Sequence, residues 1–350
     1  MDFLNNIIEE DVKKGIMPGM TYGIVTNDGI TIGGAGYKKL VPEKEGYDID
    51  TLYDMASLSK VITTVTLASK LIDQKKINLN DKVKKYLPKF KYDDVTIFNL
   101  LTHTSGLPAD LEGKEIISRE ETLKKVYGLD KEYDTGTKVI YSDIGFILLG
   151  ELISSIYNKP LDEVARTEIF EPLEMYNTCY NPKDKSKCAP TEITDKRGMV
   201  QGIVHDEKAC SLGGVAGNAG VFTNAKDISN FLSMILNNGV YNGKRFLSKE
   251  VIDLWFEPLV FEKQNNRYRS LCWIVGINNI VIKKPGNVIS FSGFTGPSLS
   301  IDRDNNIAIA LLTNRVHPTR SNNLIASERA NIANSIYKEL GLESDIIRRM

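Results

Sequence analysis

SLSKVITTVTLASKLI, residues 57–72, is the stretch from which the rest of this 350-residue chain can be organised. Leu58, Val61, Ile62, Val65, Ala68, Leu71 and Ile72 recur with the spacing of one helix face, so the segment predicts a buried helix over about residues 60–75. On that helix Ser57 and Lys60 lie three residues apart on one side, where the amine can reach the hydroxyl. Ser57, at the first turn, would also feel the partial positive charge of the helix N-terminus. A serine hydroxyl is a weak nucleophile until a base takes its proton, and a lysine can serve if burial and nearby positive charge lower its pKa. The plainer reading is an N-capping serine with an exposed lysine one turn on.

Two further segments widen the pattern. Tyr141-Ser142-Asp143 precedes the strongly apolar run IGFILLGELISSIY (144–157), which predicts a helix. A tyrosine there can point its phenol into a cleft, and a neighbouring lysine would favour the phenolate. Tyr92-Asp93-Asp94 has the same form but stands in a charged loop, so Tyr141 is the better candidate. Phe291-Ser292-Gly293-Phe294-Thr295-Gly296 follows a strand-like run. Its glycines permit close approach to a substrate, and a backbone N–H beside them could serve an oxyanion.

Outward from these segments the chain is strand-like at both ends and helical between. An amphipathic N-terminal helix is followed by two strands joined at Asn27-Asp28-Gly29, a hairpin signal. Runs at 270–277, 287–293 and 307–314 read as strands, and ASERANIANSIYKEL as a closing helix. The expected fold is α+β: an antiparallel sheet flanked by the N- and C-terminal helices beside a mainly helical subdomain. Its parts would be 1–60 with 215–350 for the sheet and 61–214 for the helical insertion.

Composition narrows the function. Forty-four Lys and Arg against forty-five Asp and Glu leave a net charge of -1, so no basic field exists to hold nucleic acid. No apolar run approaches the 18 or so residues of a membrane span. The four cysteines and three histidines show no zinc spacing, so no metal is expected. The acidic N-terminal stretch lacks a basic n-region and long apolar core, which argues for a cytoplasmic protein rather than a secreted one.

In their order, Ser57-x-x-Lys60, Tyr141-x-Asp143 and Phe291-Ser292-Gly293 resemble the serine β-lactamase and penicillin-binding-protein family, in the branch of class C β-lactamases, D-stereospecific peptidases and esterases. NLLTHTSGLP (99–108) and the segment 201–231 resemble further recurrent stretches of that branch. The resemblance implies Ser57 as acylated nucleophile, Lys60 as its proton partner and Tyr141 as general base for acylation and acid for the leaving group. Asp143 stands where the family usually has Asn, to hold the substrate amide or the lysine. Ser57 and Phe294 would give the oxyanion N–H groups, with Ser292 and Gly293 lining the substrate. Phe291 replaces the family's Lys or His, and Asn218 a frequent His. Arg315 could restore the lost charge, although an exposed loop arginine is the plainer reading. His103 and His205 read as structural, and no G-x-S-x-G elbow supports a Ser-His-Asp triad. The implied activity is cofactor-free hydrolysis of an amide or ester, with cell-wall or D-amino-acid peptides as favoured substrates. A carboxylesterase, a β-lactamase and a non-catalytic receptor that is acylated once and stops are the alternatives. The oligomeric state is not legible.

Overall fold

The protein, described by a computed structural model over residues 2–276 and 287–342, is built on a nine-stranded sheet. Gly19–Thr26 and Gly29–Lys39 form the expected hairpin, with Thr26 opposite Gly29. Gly29 takes φ +121°, a conformation few other residues tolerate. On the other side of Gly19–Thr26 lies Ile307–Leu312, so the two ends of the chain meet in the middle of the sheet. The spatial order is Val260–Glu262, Arg267–Arg269, Ile274–Val275, Val288–Ser292, Ser298–Asp302, Ile307–Leu312, Gly19–Thr26, Gly29–Lys39 and Glu45–Gly46. Every neighbouring pair is antiparallel.

The alternation along Ile307–Leu312 divides the core. Ile307, Ile309 and Leu311 pack with Leu4, Ile8, Ile332 and Ile336 from the N- and C-terminal helices, Asp2–Lys13 and Ile325–Glu339. Ala308, Ala310 and Leu312 face the other way, toward Ile228, Phe231 and Leu232 of helix Ala225–Leu236. Small residues on this side let that helix come close. A Cβ on Gly23 would meet Ser229 Oγ at 2.0 Å, so only glycine fits beneath it. Burying each such Leu or Ile contributes about 1.5–3 kcal/mol.

The helical segments begin where the sequence predicts, with one refinement. The run after Ser57 winds as a π-type turn over Lys60–Val65 and continues as α-helix Thr66–Asp73. Such wide turns change which side chain faces inward and are frequent at functional sites. Helix Asp143–Tyr157 is capped by Ser142, whose Oγ accepts from the Gly145 N–H, and it ends at Asn158 in the left-handed region.

One strand departs from expectation. Of the run 270–277, only Ile274–Val275 is strand among the described residues; 270–273 form a reversal that pairs it with the preceding short strand Arg267–Arg269. Cys272 sits in that reversal at φ +69°, and the Ser270 N–H donates to Trp273 O. Leu271, Cys272 and Trp273 are all fully buried, so the turn is as apolar as a strand and the alternation could not reveal it. Residue 277 lies outside the described residues.

Candidate active site

The start of the Ser57 helix is fixed from below by a small three-stranded sheet in which Val221–Thr223 lies between Tyr53–Asp54 and Cys179–Tyr180. The Met55 N–H donates to Val221 O, and the Asp54 carboxylate accepts from the Ala56 N–H at 2.8 Å. Ala56 is thereby held at φ +46°, which side-chain-bearing residues rarely adopt. Ser57 follows, partly exposed, and Lys60 lies wholly buried one turn on.

Lys60 Nζ donates to Ser57 Oγ at 3.1 Å and Asn218 O at 3.0 Å, and forms an ion pair with Asp143 Oδ1 at 2.5 Å. Burial disfavours its charge, but the nearby Asp143 carboxylate and Tyr141 outweigh that, and the net pKa is raised. The condition under which a lysine serves as a free base, a lowered pKa, is not met at rest: Asp143, where the resemblance has an uncharged Asn, favours Lys60 as ammonium.

Tyr141 lies over the same amine, with Nζ 5.0 Å from the ring centroid. Burial pushes the phenol up to about 12, more than the Lys60 charge lowers it, with Asp143 and Cys272 adding to the rise. The lysine favours the phenolate as the sequence suggests, but burial outweighs it. His103 sets the position of this turn. Its Nδ1 accepts from the Ser142 N–H at 3.1 Å, so its proton sits on Nε2, facing Cys272 Sγ at 3.5 Å. Its ring lies 4.7 Å from that of Tyr141. Burial, then the charges of Arg269 and Lys60, keep its pKa well below the usual imidazole value. Neutral and committed on both nitrogens, it is a structural hydrogen-bonder.

The strand Val288–Ser292 supplies the facing wall. Phe291 is only 4% exposed and packs between Tyr141 and Trp273, each centroid 6.4 Å away. Ser292 is exposed at the cleft. Gly293 lies so near the Ser57 turn that a Cβ would meet Met55 O at 2.5 Å and Ala56 Cβ at 3.3 Å. Phe294 is 48% exposed, with the His205 ring stacked at 5.6 Å and the Arg315 guanidinium 4.6 Å from its centroid. Arg315 is no exposed loop residue, contrary to the plainer expectation: it is 6% exposed. Its Nε donates to Phe294 O at 2.8 Å, and Nη1 donates to Asn323 Oδ1 and the carbonyls of Arg320 and Asn322. It clamps backbone rather than offering a bare charge.

Ser57, Tyr141, Asp143, Phe291, Ser292, Gly293, Phe294 and Arg315 line one cleft of about 860 Å³, with Lys60 beneath it. Tyr92, the weaker tyrosine match, is tied elsewhere: its hydroxyl donates to Leu129 O and accepts from the Lys131 N–H. The S-x-x-K tetrad itself recurs at Ser335–Lys338 inside the C-terminal helix, where Ser335 Oγ donates to Asn331 O. The tetrad alone is therefore not diagnostic; its place opposite Tyr141 is.

Sequence reasoning passed over several residues of this cleft. Asp206 caps helix Glu207–Ser211 through the Ala209 N–H and accepts from Asn218 Nδ2 at 3.1 Å. Burial and then the Asp143 charge push it up to about 7, which marks it as an acid titrating near neutrality. Glu192 joins His205 at 3.1 Å and Arg320 at 2.6 Å, and Arg320 reaches Glu207 at 2.8 Å, forming an ionic wall beside Phe294. The Asp206 cap is a local signal, an aspartate accepting from the amide three residues on, as is the Asp54–Ala56 bond, a recognisable turn. Nothing local announces the other contacts, since their partners come from other segments.

Comparison with known proteins gives the family and the fold. The family model described as Beta-lactamase matches residues 4–334. The N-acetylmuramyl-L-alanine amidase of Bacillus subtilis (strain 168) is 31% identical over 362 residues, covering 90% of this chain and 80% of its own. The octameric penicillin-binding protein homologue from Pyrococcus abyssi superposes with a TM-score of 0.77 at 21% identity, over 98% of this chain and 78% of that one. The class C beta lactamase from Rhodobacter sphaeroides gives 0.74 at 16% identity, over 96% and 99%. With a family match over nearly its whole length and the matching fold, the chain belongs to the Beta-lactamase family and is a serine hydrolase of the β-lactamase and penicillin-binding-protein type.

Proposed function

We propose that the cleft cleaves an amide or ester through an acyl-Ser57 intermediate, with peptides of the cell wall or of D-amino acids as the favoured substrates. The observation that carries this reading is Lys60 Nζ, buried, donating to Ser57 Oγ while held between Asp143 and the Tyr141 ring. Ser57 attacks the carbonyl carbon and its proton passes to the Lys60–Tyr141 pair. The oxyanion forms toward the N–H groups of Ser57 and Phe294. The same pair returns the proton to the leaving amine or alcohol, and water then repeats the sequence on the acyl-enzyme. The amidase relative favours an amide. The buried Phe291, in place of a cation, favours uncharged esters as the second reading. Comparing steady-state turnover of p-nitrophenyl acetate, nitrocefin and a D-Ala-containing peptide tests both. A single acylation without turnover would instead mean a receptor.

We further propose that 1–60 with 215–350 forms one part of the catalytic unit and 61–214 the other, and that the protein works in the cytoplasm. Its four cysteines, all free, suit a reducing compartment. Among the described residues, no helix is long and apolar enough to cross a membrane.

The charge state of the pair gives a pH prediction. With Lys60 and Tyr141 both shifted upward, the base exists only after the pair has lost a proton, so kcat/KM should still be rising as pH enters the alkaline range. Asp143 stabilises the ammonium and opposes the phenolate; Asp143→Asn removes that charge and lowers both pKa values. The rising limb should move down by about 1–3 pH units, the usual reach of one close charge. A limb that stays in place would show that Asp143 does not control the proton.

Phe291 gives a second. Phe291→Lys would place a cation next to Tyr141 and the cleft. The kcat/KM ratio for a carboxylate-bearing β-lactam over a neutral ester should rise about tenfold, the lower end of a charge-assisted hydrogen bond worth about 1.5–3 kcal/mol. Taking a ratio cancels losses from repacking against Trp273. An unchanged ratio would mean that residue 291 does not set this selectivity.

A further inference from the structure

Asp54 is a buried acid with an uncommon set of partners. One carboxylate oxygen accepts from the Ala56 N–H at 2.8 Å and the other from the His205 N–H at 2.7 Å. Its own carbonyl accepts from Thr295 Oγ1 at 2.7 Å. Among the described residues no lysine or arginine donates a hydrogen bond to it, and burial raises its pKa above the ordinary carboxylate value. A charge buried with backbone donors alone is poor value for stability, which points to a use in geometry.

The three bonds reach three segments that converge on the cleft. Ala56 belongs to the turn that presents Ser57 and needs support at its positive φ. His205 stacks on Phe294. Thr295 belongs to the loop that carries the Phe294 N–H, which is closed by the Gly293 N–H donating to Pro297 O. Arg315 and Arg329 hold the far side of that loop, Arg315 on Phe294 O and Arg329 on Gly296 O at 2.6 Å. One half of the oxyanion pocket thus stands on a helix start and the other on the turn between two inner strands, Val288–Ser292 and Ser298–Asp302. Neither element fixes the gap between them, and donors stabilise an oxyanion only at about 2.7–3.1 Å.

We propose that Asp54 is a positioning residue that sets the spacing of the two oxyanion donors, tying the Ser57 turn to the Phe294 loop through the Thr295 hydroxyl. This rests on the reading of the Ser57 and Phe294 amides as those donors. Asp54 touches no reacting atom; it acts through Ala56 and Thr295.

The test compares Thr295→Val, which keeps the shape and loses the hydroxyl, with Thr295→Ser, which keeps the hydroxyl. The readouts are kcat and KM on p-nitrophenyl acetate and inhibition by phenylboronic acid, whose tetrahedral serine adduct places an oxygen between the donors. Thr295→Val should lower kcat by about 10- to 100-fold, less than losing a donor outright, with KM nearly unchanged. Boronate affinity should fall in parallel, and Thr295→Ser should restore both. Asp54→Asn should act in the same direction, because its amide would turn a donor toward the His205 N–H. Should that variant fail to fold, the Thr295 pair still decides whether the tie to the Asp54 carbonyl sets the gap. If Thr295→Val keeps wild-type kcat and boronate affinity, or loses thermal stability alone, the inference is overturned. If Ser57→Ala binds phenylboronic acid as tightly as wild type, no Ser57 adduct forms and the nucleophile reading on which the oxyanion site depends fails, a result separate from that of the Thr295 pair.

Discussion

Replacing Ser57 with alanine should eliminate hydrolysis, with a loss on the order of 10⁶-fold in kcat, as when a nucleophile is removed from a unit that works together. The fold should survive. Ser57 is only partly buried, and its side chain makes one hydrogen bond, accepted from Lys60 Nζ. Losing a bond of that kind costs about 0.5–1.5 kcal/mol, and the freed amine keeps Asp143 and Asn218 O. A fluorophosphonate probe should label the wild type once, and peptide mass spectrometry should place the adduct on Ser57. The informative competitors are Ser292, which is exposed in the same cleft, and Ser105, which is buried in the THTSG turn. An adduct on either, or turnover that persists in Ser57→Ala, would sink the assignment of the nucleophile.

The second large effect concerns the pair that moves the proton. Lys60→Ala and Tyr141→Phe should each reduce acylation by several orders of magnitude, and the double variant should be little worse than either. Groups that share one proton are grossly non-additive, because losing one already disables the other. Losses that simply multiply would show two independent roles. The two variants should differ in stability. Tyr141→Phe removes a hydroxyl and keeps the ring beside His103. Lys60→Ala opens a cavity under Ser57 and leaves the Asp143 carboxylate without its cation. Breaking a buried pair costs about 3–5 kcal/mol, and partial exposure of Asp143 puts the expected value at the low end. Thermal melts beside the rate measurements separate the two consequences.

Much of this protein is written in its local sequence. The hairpin at Asn27-Asp28-Gly29, the helix Asp143–Tyr157 with its Ser142 cap and the alternation of Ile307–Leu312 follow from turn chemistry, capping and period, which depend on near neighbours. The order of three short motifs was enough to point to the family. The reversal at Cys272 was not legible, because a turn buried on all sides carries no polar punctuation. Nor was the part of Arg315, whose partners, Phe294 O and Asn323 among them, come together only in space. The charge of the central pair is the clearest case. From sequence, a lysine near a serine could be a free amine; in the fold, Asp143 lies 2.5 Å from Lys60 and burial holds Tyr141 protonated. Periodicity and capping are sums over a few adjacent residues, so the sequence by itself determined the elements and the candidates. A pKa, an oxyanion gap or a clamp depends on distance and desolvation among residues far apart in the chain, and these only the tertiary structure decided.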